Sequence, residues 1–183
     1  MQLPPFPWQL CNNFSVFPVG GDAGGTPTWP VFPVVNPGVC SMAASDGSYY
    51  LGLTVGSYGL STDVSESVGT RLCNPPLQAG TTYSVSVDLA MAVQKVMVGA
   101  SNHPAVLEIW GSNKMGCLKD ERLWTSPTIT NSDTWQTYCG LFRPSQTYNF
   151  LTIVPAAPAG FTFAMGQWSY VVVDHLQTGT TCK

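Results

Sequence analysis

The chain has 183 residues, 44% of them hydrophobic, and a formal net charge of −3 from seven basic and ten acidic side chains. That length favours one domain with a proper core, and so weak a charge excludes electrostatic capture of nucleic acid or of an anionic membrane. Only 9% of residues are charged, against about 25% in an ordinary soluble domain, so solubility rests on Ser, Thr, Asn, Gln and Gly, a surface common in secreted β proteins.

The N-terminal "MQLPPFPWQL" lacks the basic start and apolar stretch of a signal peptide, so a secreted protein would begin here at a mature or engineered start. No apolar run is long enough for a membrane span, which needs about 18 residues. Residues 1–45 hold eight of the fifteen prolines and one formally charged side chain, Asp22, together with Phe6, Trp8, Phe14, Phe17, Trp29 and Phe32. Proline fixes φ and removes a ladder donor, so this density forbids helix and central strand alike. The expected form is an extended, polyproline-rich wrap with the first strand, its aromatics packed on the rest of the same domain, residues 46–183. Asn13, Phe14 and Ser15 form a glycosylation sequon, informative only in a eukaryotic secretory host.

From Asp46 onward short β-type runs recur. "SYYLGLTV" (48–55) is β-rich and followed by Gly56, and "ESVGTRL" (66–72) alternates Glu66, Val68, Thr70 and Leu72 against Ser67, Gly69 and Arg71. "NPPLQAG" then breaks the chain, because Pro75 and Pro76 cannot donate to a ladder and Gly80 supplies a backbone angle other residues resist. In "TTYSVSVDLAM", Tyr83, Val85, Val87 and Leu89 share one face, with Ser84, Ser86 and Asp88 on the other. That is the period of a strand with one face buried. Further strands are expected at 105–111, 122–129, 134–144, 148–156 and 168–176; "LAMAVQKVMV" alone admits a helical turn, and its valines with Gly99 behind weaken that reading. Many short strands split by Gly and Pro mean an all-β, two-sheet antiparallel sandwich or jelly roll.

Six cysteines (Cys11, Cys40, Cys73, Cys117, Cys139 and Cys182) are even in number with no C-x-x-C pair. This favours a disulfide framework over zinc, with buried thiols of a cytosolic protein as the alternative. Catalytic residue types are sparse. His103 precedes Pro104, and His175 follows Asp174 on the last strand, where alternation points the two side chains to opposite faces and denies a dyad. H-E-x-x-H and G-x-S-x-G are both missing, and nothing in the spacing of the carboxylates selects a glycosidase pair. An enzyme is not expected.

Binding has better candidates, since sugars are held by an aromatic platform and a few planar hydrogen-bonding groups. Tyr49, Tyr50, Trp168 and Tyr170 are candidate platforms, each with core or rim packing as the plainer role; Arg71 and Asp88 lie on the polar register. Trp110, Trp124 and Trp135 sit in apolar strand patterns and read as core. "GSNKMGCLKDERLW" (111–124) concentrates Lys114, Lys119, Asp120, Glu121 and Arg122 and reads as a solvated loop pinned by Cys117.

The succession "YYLGL", "ESVGTRLCNPPLQAGTTYSVSVDLA", "AVLEIWGSN", "ERLWTSPTI", "TWQTYCGLFRPSQTYNFLTIVP" and "YVVVDHL" resembles the jelly-roll modules of large surface and secreted proteins of gliding, Bacteroidetes-type bacteria. Those are similar in turn to galactose-binding-like carbohydrate-binding modules. The resemblance implies a two-sheet jelly roll at the cell surface, binding polysaccharide or surface glycan without catalysis. It also implies one structural calcium near the first and last strands, here at Ser15, Asp46, Gly47 and Asp174, although Ser15 stands where the family favours a carboxylate that calcium prefers. A Cys11–Cys182 disulfide follows from the family's adjacent terminal strands. The alternative role is a structural subunit of a surface filament, adhesin or virion-like assembly, with residues 1–45 packed against further copies of the chain.

Overall fold

In the computed structural model the described residues are 9–10, 32–33, 45, 49–57, 63–72, 75–91, 103–114 and 117–179. Their strands are β1 (Gln9–Leu10), β2 (Phe32–Pro33), β3 (Tyr49–Ser57), β4 (Asp63–Ser65), β5 (Val68–Arg71), β6 (Tyr83–Met91), β7 (Val106–Ser112), β8 (Glu121–Thr125), β9 (Gln136–Phe142), β10 (Phe150–Ala156) and β11 (Trp168–Gly179). Among the described residues there is no helix. Two antiparallel sheets form, one ordered β1-β5-β10-β7-β8 and the other β2-β3-β11-β6-β9 with β4 paired to β3. The fold is the all-β jelly-roll sandwich that alternation implies.

Every second residue of the long strands faces the partner sheet. Leu53 and Val55, Val85, Val87 and Leu89, and Val171 and Val173 of the six-stranded sheet meet Val68, Leu107, Ile109, Leu151 and Ile153 of the five-stranded one in a single buried cluster. Each such side chain contributes about 1.5–3 kcal/mol on leaving water. The described parts of the proline-rich segment, β1 and β2, lie at sheet edges, and Pro33 is in β2. An edge is where a missing N–H leaves no ladder broken.

Between sheets the chain is held by local devices. Glu66 sits where β4 leaves one sheet for β5 of the other: its N–H donates to the Thr54 carbonyl at 2.9 Å, and its carboxylate accepts the Thr54 N–H at 2.7 Å. Burial pushes the Glu66 carboxyl above its usual 4.5, an effect opposed by the hydrogen bonds from Thr54. In the Pro-Pro connection Leu77 and Tyr148 exchange two backbone hydrogen bonds of 3.0 Å, and Gly80 takes φ 72°. β8 stops at Thr125, short of the run to Ile129: the Ser126 hydroxyl takes the Leu107 N–H at 2.9 Å, Pro127 brings no donor, and Ile129 makes only an isolated bridge to Ala105. Of "LAMAVQKVMV", Leu89 to Met91 complete β6, and residues 92–98 lie outside the described residues.

Candidate functional site

Strand alternation that fills the core also loads the outer face of the six-stranded sheet. Tyr50, Ala90 and Val172 point away from the core and form a second, smaller apolar cluster, against which the half-buried rings of Trp135 and Tyr170 pack. Tyr50 and Trp135 meet edge to face, with centroids 5.4 Å apart at 74°. Glycine makes this layer lie close to the sheet. A Cβ on Gly52 would collide with the Tyr170 ring and hydroxyl, and one on Gly56 with the backbone and Cβ of Trp168.

A polar cluster adjoins the rings. Asp88 of β6 and Asp174 of β11 are direct cross-strand partners, a like-charge pairing that is unfavourable unless donors surround it. Here they do. Asp88 accepts the Thr137 hydroxyl at 2.6 Å and the Ser45 hydroxyl at 2.7 Å; Asp174 accepts the Ser45 N–H at 2.8 Å, its hydroxyl at 3.1 Å and the His175 N–H at 2.7 Å. The backbone bonds to Asp174 are the plainer role that its position suggests.

His175 corrects the expectation of opposite faces. The ladder of β11 slips between Asp174 and Gln177, and His175 takes φ 49°. An irregularity of this kind re-aims a side chain, and the ring comes back to the side of Asp88, Nδ1 lying 3.8 Å from the carboxylate, with Nε2 against the Gln177 amide. Among the described residues the Ser45 hydroxyl is directed at the two carboxylates and not at this imidazole. Rings edged by carboxylates, an amide and hydroxyls can instead hold a hydroxyl-rich ligand by stacking and hydrogen bonding.

No protein-family model and no curated protein matches the chain. Solved structures do resemble it. The N-terminal cellulose-binding domain of β-1,4-glucanase C from Cellulomonas fimi is 11% identical over 79% of this chain and 89% of that one, with a TM-score of 0.45. A CBM4 structure is 14% identical over 82% and 84%, TM-score 0.42, and the K3 cleaved adhesin domain of Lys-gingipain from Porphyromonas gingivalis is 7% identical over 81% and 90%, TM-score 0.41. Likeness at this level assigns no ligand to the present chain.

The residues singled out from sequence divide between the sheets. Tyr50, Asp88, Trp168 and Tyr170 come together on the outer face just described, but Tyr50 and Trp168 are buried at 7% and 6% exposure, leaving Tyr170 as the accessible ring. Tyr49 belongs to β3, and its side chain lies outside the described residues. Arg71 ends β5 in the other sheet, beside Phe150 of β10, and does not join them. Of the calcium set, Ser15, Asp46 and Gly47 lie outside the described residues; Asp174 faces hydrogen-bond donors, and among the described residues no group of three His, Cys, Asp or Glu side chains could hold a metal ion.

Two of the three tryptophans read as core are elsewhere. Trp124 is buried between the sheets, whereas Trp135 caps the outer cluster. Its polar flanks, Asp133, Thr134, Gln136 and Thr137, were the available sign. Trp110 also faces outward: its indole donates to Glu108 at 2.9 Å, and Arg122, 3.0 Å from Glu108, lies 5.9 Å from the ring centroid. The β7–β8 connection that carries so much of the charge folds back on this five-stranded sheet, its Leu118 carbonyl accepting the Thr152 hydroxyl at 3.1 Å. Cys117 sits over Gly69 on the same outer face, whereas Cys139 lies on the outer side of β9 in the opposite sheet. Cys11 and Cys182, along with Cys40 and Cys73, lie outside the described residues.

Proposed function

We propose that this chain is a non-catalytic, extracellular carbohydrate-binding module that contacts its ligand with the outer face of the six-stranded sheet. One observation carries the reading: Trp135 and Tyr170 form an accessible aromatic surface immediately beside Asp88, Thr137, Asp174 and Gln177. Sugar rings offer apolar faces to such rings and hydroxyls to such acceptors. The six cysteines, even in number and without a C-x-x-C pair, support an oxidising, extracellular setting. Repetition within a larger surface protein of the kind that the sequence resembles would raise a weak single-site affinity by avidity.

Affinity electrophoresis through gels holding plant, algal or microbial polysaccharides tests the reading. At least one gel is expected to retard the protein, with Tyr170→Ala or Trp135→Ala weakening retardation about tenfold or more while the circular dichroism spectrum stays unchanged. Unretarded migration in every gel would overturn it and favour the assembly subunit.

A further inference from the structure

Ser45 comes to the outer face of the six-stranded sheet from far along the chain, 43 residues before Asp88 and 129 before Asp174. It brings two donors. Its hydroxyl lies 2.7 Å from Oδ2 of Asp88 and 3.1 Å from Oδ2 of Asp174, and its N–H donates to that same Asp174 oxygen at 2.8 Å. Asp88 and Asp174 are direct cross-strand partners on β6 and β11, so the sheet itself sets the spacing between their oxygens. One compact donor group spans both.

That donor group has the connectivity of a piece of sugar. The nitrogen and the hydroxyl oxygen of a serine are joined through two carbons, N–Cα–Cβ–Oγ, as neighbouring hydroxyl oxygens of a sugar ring are joined through two carbons. Ser45 therefore offers the carboxylates what a vicinal diol would offer, and oxygens spaced to receive the one are spaced to receive the other. The aromatic layer lies within reach. Ala90 and Val172, in the cluster against which Trp135 and Tyr170 pack, are cross-strand partners two residues along from Asp88 and Asp174. Two residues of strand span about 7 Å, so a sugar ring laid on the aromatics brings its edge hydroxyls to the carboxylates.

We infer that Asp88 and Asp174 together accept two adjacent hydroxyls of a sugar, and that Ser45 stands in for that diol as an internal competitor which the ligand displaces. The inference rests on the carbohydrate-binding reading and adds to it the element recognised and a brake on affinity. Ser45 is itself exposed, so a ligand arriving from solvent meets it before the oxygens it holds. The exchange replaces one donor pair by another on the same acceptors. It gains little in hydrogen bonding, so stacking on the rings has to drive it, and the apparent affinity is lowered by the share of molecules in which Ser45 keeps its place.

Affinity electrophoresis of the full chain tests this with three neutral polymers. Xyloglucan and galactomannan keep free hydroxyls on adjacent carbons of the main chain, whereas the main-chain linkage of laminarin leaves no two adjacent hydroxyls free. At least one of the first two is expected to retard the parent more than laminarin does. Ser45→Ala removes the bridging hydroxyl and should lower the dissociation constant for that polymer about threefold or more, while Ser45→Thr, which restores the hydroxyl, should bring it back near the parent's. Laminarin binding as tight as that of the other two would overturn the inference and leave the carbohydrate-binding reading standing. So would a Ser45→Ala variant that folds, by its circular dichroism spectrum, and binds no more tightly than the parent. Should Ser45→Ala fail to fold, the parent's order of preference among the three gels decides. Unretarded migration in all three would remove both readings.

Discussion

The two outer faces of this sandwich teach different things although the strands beneath them follow one rule. On the five-stranded sheet polar groups are spent on one another: Glu108 takes both Trp110 and Arg122, and the β7–β8 connection bonds back through Thr152. On the six-stranded sheet an apolar cluster ends in two accessible rings, and its carboxylates are gathered beside them. Aromatic residues occur on both faces, so aromatic content does not mark a site. What differs is the chemistry beside the rings: an ion pair and its indole donor on the one face, and on the other two cross-strand carboxylates that accept hydroxyl and backbone donors.

The largest expected effect concerns what the faces share. Ile153→Ala empties a fully buried position of the common core and should lower unfolding free energy by about 2–5 kcal/mol in urea titrations. A loss much under 1 kcal/mol would mean that the sheets are not packed as described. Next comes Gly52→Val, which puts branched carbons where the Tyr170 ring lies. It should cost about 1–3 kcal/mol and weaken polysaccharide binding with it, whereas Trp110→Ala should leave binding untouched. Equal losses of binding in the two variants would erase the distinction between the faces.

A smaller effect tests the crossing between the sheets. Burial raises the Glu66 carboxyl above 4.5, and the Thr54 hydrogen bonds only partly offset it. In the folded state this group therefore holds its proton to higher pH than in the unfolded chain, so its contribution falls as pH rises from 4.5 through the folded value, and the penalty persists above. Glu66→Gln should be more stable than the parent at pH 7, with the difference shrinking as pH approaches 4.5. A variant that is less stable at pH 7 would show that the carboxylate's hydrogen bond to Thr54 outweighs its burial. Smallest of all are the exposed cations of the five-stranded sheet: Arg122→Ala should cost no more than about 1 kcal/mol in thermal melts, and Arg71→Ala should leave polysaccharide affinity unaltered. A sugar-binding loss in Arg71→Ala would move the site to the other sheet.

Much of the fold was legible because alternation is a local signal. Tyr83 to Met91 state their inward and outward faces in the residue types themselves, and the prolines of residues 1–45 state that any strand there must lie at an edge. β4 was not legible: its three residues are too short a run to show a period. Within the site, Asp88 and Tyr170 could be named from their register. Trp135 could not be separated from core tryptophans by strand pattern, and Tyr50 and Trp168, offered as candidate platforms with packing as the plainer role, are buried.

The sequence by itself therefore determined the class of fold, the inward face of Tyr83 to Met91 and the scarcity of catalytic residue types, since these depend on neighbours along the chain. Only the tertiary structure decided which outward residues share a sheet: it put Asp88 beside Asp174 across 86 residues' worth of chain, sent Arg71 to the opposite layer, and returned His175 to the side of Asp88 through a slip in the ladder. The physical reason is that alternation gives a side chain's direction relative to its own strand, while cross-strand pairing and local irregularity decide its neighbours, and these arise from contacts distant in sequence.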